Sequence, residues 1–257
     1  MNTLAILVIF QPFENLAEAI IKFFEGTLGV GWGLAIVLLT LTVRGLTLPL
    51  SLTGIRSMRR MQMVAPELKA VQEKYKDDRE RQQREMLALY KEHGVNPLAS
   101  CFPFLLQIPF FIAVYGLLRS DTFATDVTNS GAGQGFLFID SIIQHPEGAE
   151  KITLMVLFLV TTVATFLYTT ATTQTTSGPQ RYIFLALPLL FVPVIGNQPA
   201  GLGLYWITTN LWSLGQQVVV QRIMPMPKPP TPEEIEAKRK VRETPPPPPP
   251  RKRKKRK

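Results

Sequence analysis

Apolar and charged residues are segregated along this chain into long blocks, whereas a soluble domain mixes them. Four apolar windows, Trp32–Leu52, Leu98–Leu118, Ile152–Thr170 and Tyr182–Ile223, are long enough or nearly long enough for helices to cross a bilayer. The last is interrupted at Gly196–Gly201 (GNQPAG), where Pro and Gly favour a tight turn, so it predicts two helices. The pattern therefore predicts five spans, and an odd number places the two chain ends on opposite sides of the membrane.

The polar blocks have their own periodicity. Ahead of the first window, Phe13, Leu16, Ile20, Phe24 and Leu28 recur at helical spacing against Glu14, Glu18, Lys22 and Glu25. This predicts an amphipathic helix on the outer membrane interface, within an N-terminal segment of residues 1–30. Leu4–Phe10 (LAILVIF) is too short to span, and an uncleaved hydrophobic leader is the competing reading. Residues 56–95 predict a helical hairpin, with Pro66 and Glu67 at a helix start and Gly94 as a stop before Asn96-Pro97. Leu68, Val71 and Tyr75 form one apolar stripe and Met86, Leu87 and Tyr90 another, separated by the charged turn KDDRE. Such narrow stripes let the hairpin pack on itself while charged faces stay free for water, lipid headgroups or a partner. A solvated spacer is the plainer alternative.

Charge orients the chain. Residues 56–91 carry ten Lys and Arg, and residues 222–257 carry thirteen more against four acids. The outer-loop candidate, residues 121–150, has no Lys or Arg and five acids. By the positive-inside rule the N-terminus is outside and the C-terminus cytoplasmic. The tail, 224–257, reads as disordered: it is poor in apolar residues, and its proline hexamer is a stiff spacer. It ends in Arg251, Lys252, Arg253, Lys254, Lys255, Arg256 and Lys257. That run suits ribosomal RNA, by phosphate neutralisation, or anionic lipid headgroups; plain solubilisation is the alternative.

One residue conflicts with a purely apolar span. Arg44 lies inside LTLTVRGLTLPLS, ten residues before Gly54, which is about 15 Å at helical rise. An extended arginine does not reach that far, so snorkelling alone leaves the guanidinium in hydrocarbon. Burial there costs roughly 2.5–3.5 kcal/mol on insertion scales, and no acid lies well inside any predicted span. The inference is a water-filled indentation open toward the cytoplasm. Thr40 shares the face of Arg44, and Gln107 lies between Pro103 and Pro109, where a kink is expected. Thr161, Thr165, Thr169 and Thr172 make a hydroxyl stripe in the third span; Trp206, Asn210, Ser213 and Gln217 make a polar one in the fifth. Interhelical hydrogen bonding is the favoured reading of the threonines; with an unpaired arginine, the stripes together point to a shared hydrophilic groove.

Conventional catalysis finds little support. One cysteine, Cys101, allows no intramolecular disulfide or cysteine metal site, and His93 and His145 fall in different compartments. No glycine-rich phosphate loop occurs, and no cofactor is implied.

Three motifs, LTVRGLTLPLS, PELKAVQEKYKDDRERQQREMLALYKEHGVNPLASCFPFLLQIPFFIAVYGLL and PAGLGLYWITTNLWSLGQQ, resemble the YidC membrane-protein insertase family, which includes mitochondrial Oxa and chloroplast Albino proteins. The resemblance covers roughly residues 12–223, in the short five-span form, and departs from it at Ser100-Cys101-Phe102-Pro103, where relatives commonly carry Gly-Cys-Leu-Pro. There is no N-terminal lipobox cysteine, so lipid anchoring is not expected. The resemblance implies an all-α integral membrane protein: a core, 31–223, of five transmembrane helices, with a cytoplasmic helical hairpin and an outer interfacial amphipathic helix. It implies insertion and folding of nascent membrane proteins, alone or beside the Sec translocon in the bacterial plasma membrane, with the ribosome as partner of the tail. Arg44 matches the family's groove arginine, and Thr40 and Trp206 match groove positions; Gln107, Asn210 and Gln217 are added from the helical faces. No bond is made or broken in this work, so the expected protein is not an enzyme. The rivals are an anion channel or transporter using the same arginine, for which no internal repeat is visible, and a ribosome anchor.

Overall fold

A computed structural model describes residues 3–96, 102–131, 133–172 and 191–223. Seven named helices carry the described chain: α1 (Thr3–Leu28), α2 (Trp32–Lys74), α3 (Arg79–Glu92), α4 (Phe102–Leu118), α5 (Asp121–Asn129), α6 (Gly148–Thr172) and α7 (Ala200–Ile223). Residues 191–195 are also helical. The fourth predicted span falls mostly outside the described residues, as do Cys101 and the whole basic tail. By length and composition α2 and α6 could cross a membrane, with mean hydropathy 1.8 and 2.0, and Gln107–Leu118 is a shorter apolar stretch.

Pro66 does not start a helix. α2 runs unbroken through Pro49 and Pro66 to Lys74, so the first arm of the hairpin continues the first apolar helix. Each proline forfeits one backbone hydrogen bond, and packing on both sides holds the helix across the gap. α3 returns along this arm. Its start is capped by the Asp78 side chain, which accepts from Arg81 N at 3.0 Å. Its end is a Schellman turn: Gly94 has φ +59°, its N–H donates to Lys91 O, and Val95 N donates to Tyr90 O at 2.9 Å. The arms enclose a small separate core of Val64, Leu68, Leu89 and Val95. Here the apolar stripe differs from expectation: Leu89 is 1% exposed, while Leu87 is 56% exposed. The Glu67 carboxylate meets His93 Nε2 at 3.1 Å across the same interface. Arg59 ties the arm to the end of α7, donating to Val220 O at 3.3 Å, where a last-turn carbonyl lacks a helical partner.

The main core lies among α1, α2, α4, α6 and α7. α1 includes Leu4–Phe10 and packs along α4 and α2. Ala17 and Ile21 are its buried residues, with Ile20 and Phe24 packed beside them, whereas Leu16 and Leu28 are exposed. Lys22 bridges Glu18 at 2.8 Å and Asp126 of α5 at 2.7 Å, fixing α1 to α5. α5 was not foreseen as a helix; Phe123 and Val127, four apart, are fully buried.

The 133–144 loop closes one end of the bundle. Helix starts leave N–H groups without helical partners, and the loop supplies carbonyls. Gly133 O accepts from Trp32 N at 3.1 Å, Gln144 O from Ala200 N at 2.9 Å, and Ile142 O from Gly201 N at 2.8 Å. A Cβ on Gly201 would lie 2.9 Å from both Ile142 O and Ile36 Cδ1, so the close approach requires glycine. Ile139 and Ile142 of this loop are buried, and Trp32 packs edge-on against Phe123 at 5.3 Å.

Candidate functional site

Below that closed end, α2, α4 and α7 line a small open cleft. Thr40, Arg44, Thr47 and Ser51 enter it from α2 at steps of four, three and four, one face of a helix. Gln107 and Phe110 of α4 and Tyr205 of α7 form the rest of the wall, with Val43. Gln107 Nε2 donates to the Tyr205 hydroxyl, joining α4 to α7 across the cleft. Thr40 and Thr47 each donate to a backbone carbonyl one turn back, Ile36 O and Val43 O, both at 2.8 Å. Both hydroxyls are thereby satisfied as donors, and Thr40 is fully buried.

Arg44 is the cleft's charge. Among the described residues no carboxylate lines the cleft, and no hydrogen bond or ion pair to its guanidinium occurs. The stretches 97–101 and 173–190 contain no acidic residue either. Arg44 stands twelve residues past Trp32, the first residue of α2, about 18 Å along the helix.

Beside the polar cleft lies a small apolar compartment. α1 supplies Phe13, Leu16, Ala17 and Ile20 to it, and it shares Val43, Phe110 and Tyr205 with the polar cleft.

Three of the residues singled out in the sequence, Thr40, Arg44 and Gln107, meet in the cleft. The other three are placed elsewhere. Trp206 stacks on Phe111 at 5.2 Å and Phe158 at 5.4 Å, with Phe191 edge-on at 5.3 Å. Asn210 Nδ2 donates to Thr162 Oγ1 at 2.8 Å and Thr161 Oγ1 at 3.3 Å. Gln217 Oε1 accepts from Thr169 Oγ1 at 2.8 Å. These polar side chains join α6 to α7, beside the Tyr168 to Gln221 hydrogen bond. Thr47, Ser51 and Tyr205 escaped sequence reasoning. The first two were legible from their spacing to Arg44; Tyr205 was not, because the sequence leaves open which of two adjacent aromatics faces a cleft.

Comparison with known proteins places this architecture. A family model described as 60Kd inner membrane protein matches residues 23–228. The chain belongs to that family. Among relatives of the 60Kd inner membrane protein family, the membrane protein insertase YidC of Helicobacter pylori is 38% identical over 195 residues, covering 75% of this chain and 33% of that protein. The membrane protein insertase YidC of Streptomyces avermitilis is 36% identical over 232 residues, covering 79% of this chain and 54% of that protein. The chain thus spans between a third and about half of these relatives. A solved structure described as an active YidC insertase with the first transmembrane domain resolved is 28% identical, with a TM-score of 0.60, covering 80% of this chain and 45% of that one.

Proposed function

We propose that this chain is a membrane-protein insertase and chaperone, lying in the bacterial plasma membrane with its N-terminus outside and its C-terminus in the cytoplasm. Five spans, the fourth within 182–195, form the core; the α2–α3 hairpin projects into the cytoplasm, and the 133–144 loop seals the outer end. The observation that carries the reading is the lone Arg44 guanidinium in a cleft lined by hydroxyls and one amide, which stops short of the sealed end. A cation partway into the bilayer attracts acidic residues of a segment bound for the outside, and water around it shortens the apolar distance that segment crosses. The chemistry is transfer between solvents, with no covalent step.

The proposed partners are nascent membrane proteins in the cleft and ribosomal RNA or anionic lipid on residues 251–257, with the Sec translocon as a further partner. The test is insertion into proteoliposomes of a single-span protein with an acidic outer tail. Arg44→Ala should impair it and Arg44→Lys should retain it, whereas equal insertion by Arg44→Ala and wild type would sink charge attraction as the working step. Removal of residues 245–257 should weaken ribosome co-sedimentation, and wild-type binding should fall as salt rises.

A further inference from the structure

We propose that the cleft is gated: residues 102–108 of α4 swing away from α7 about Pro109 to admit a substrate segment, and the hydrogen bond from Gln107 to Tyr205 holds them shut. The inference rests on reading the cleft as the substrate site of a membrane-embedded insertase, and it concerns how a segment enters. As it stands the cleft has room for about one water molecule. A helix with its side chains is about 10–12 Å across, so a wall has to part before a nascent chain meets Arg44.

The walls are not held equally. α7 is tied to α6 through hydrogen bonds of Asn210, Gln217 and Gln221, and to the α2 arm through Arg59. Within α4 the grip changes at Pro109. Beyond it Ala113, Val114, Leu117 and Leu118 are buried, and Phe111 stacks on Trp206. Leu118 Cδ2 would lie 3.0 Å from a Cβ on Gly201, so this part of α4 is pressed against the sealed end. Before Pro109 the packing loosens: Gln107 is half-buried and Ile108 is 38% exposed. Among the described residues, the bond from Gln107 Nε2 to the Tyr205 hydroxyl is the one side-chain hydrogen bond joining α4 to α7. Proline has no N–H to give the carbonyl four residues back, which makes position 109 the flexing point of this helix. Gln107 lies two residues before that point, and Tyr205 is 2% exposed on the anchored helix, so their bond is the latch on the wall facing Arg44.

The test measures distances between spin labels by pulsed electron paramagnetic resonance, in substrate-free protein in lipid nanodiscs with Cys101→Ser. One pair, Ile108→Cys with Val160→Cys, reports the moving part of α4 against α6. A second, Arg119→Cys with Val160→Cys, reports the fixed end; all three positions are exposed. Tyr205→Phe and Gln107→Leu nearly keep side-chain shape and remove the bond. Each should enlarge the long-distance population of the first pair about threefold, and by no more than about twentyfold, the worth of one interhelical hydrogen bond in a membrane. The second pair should not change. Pro109→Ala, added to Tyr205→Phe, should return the first pair to its wild-type distribution. Wild-type distances in both single variants overturn the latch; equal shifts in the two pairs, or no reversal by Pro109→Ala, overturn the hinge. Insertion is read separately. Pro109→Ala should slow substrates with acidic and with neutral outer tails alike, because opening precedes charge recognition, whereas Arg44→Ala should act on acidic tails alone. Wild-type insertion of both substrates by Pro109→Ala overturns gating whatever the Arg44 variants show, and failure of charge attraction leaves the spin-label result standing.

Discussion

Removing the Leu89 side chain should open the α2–α3 hairpin while leaving the bundle intact. The hairpin core consists of Val64, Leu68, Leu89 and Val95, with Met61, Val71, Met86 and Tyr90 packed around them, and shares no buried residue with the main core. Leu89 is its most buried member at 1% exposed. Burying a leucine contributes about 1.5–3 kcal/mol, and Leu→Ala in a core costs about 2–5 kcal/mol with the cavity included. Two helices can relax toward each other, so the lower end applies, about 2–3 kcal/mol. Local opening then becomes roughly 30- to 150-fold more frequent, since each 1.4 kcal/mol is a factor of ten. Hydrogen exchange followed by mass spectrometry should show that acceleration in α3 and the adjoining part of α2, with α6 and α7 unchanged. Leu87→Ala is the paired control. At 56% exposed, Leu87 should alter exchange by no more than about 0.5 kcal/mol allows, a factor of two or so. Equal acceleration in the two variants, or matching loss of protection in α6 and α7, would refute the separation of the two cores.

Asn210→Leu removes the donor that joins Thr161 and Thr162 to α7, and interhelical hydrogen bonds in membranes average about 0.6 kcal/mol. Unfolding in bilayers should therefore show a loss below about 2 kcal/mol, and insertion should stay near wild type; a severe insertion defect in a stable variant would move Asn210 into the working cleft. Leu137 has φ +55° at the tip of the loop and is 85% exposed, so Leu137→Gly relieves left-handed strain without losing packing. Its Tm should rise by an amount equivalent to about 1 kcal/mol, and a fall would contradict that account. The Lys22 ammonium is held above its ordinary value of 10.5, chiefly by its hydrogen bond to Asp126 and then by that to Glu18, against a smaller effect of burial. A raised lysine stabilises the fold fully below the unfolded value and loses that contribution as pH climbs through the folded one. Wild-type stability should thus fall more steeply than that of Lys22→Met above about pH 10.5, while parallel curves would show the bridge to be idle.

Helix identity and broad charge segregation were readable from the sequence because they depend on composition over long windows. Helix ends were readable where the chemistry is local. Gly94 reaches φ +59° at no steric cost, and Asp78 caps α3 with its own side chain. Pro66 misled for the complementary reason: proline fits both a first turn and a helix interior held by tertiary contacts, and only the packing of α3 on this arm decides. Leu87 and Leu89 differ by two positions, or about 200° around a helix, so a small uncertainty in phase exchanges inside for outside.

The cleft shows the same division at the level of single groups. Arg44 was legible because a guanidinium keeps its charge throughout any ordinary pH range and finds no acid in the neighbouring spans, so solvent or an anion must reach it. Asn210 and Gln217 carry neutral amides, whose meaning depends wholly on what the facing helix presents. α6 presents Thr161, Thr162 and Thr169, of which Thr161 and Thr162 accept from Asn210 Nδ2 and Thr169 donates to Gln217 Oε1. Gln107 is an amide of the same kind, yet α7 offers it Tyr205 at the edge of the cleft rather than a buried threonine. A polar stripe in a membrane helix therefore specifies a demand for partners, and only a charge that no partner meets specifies a cavity.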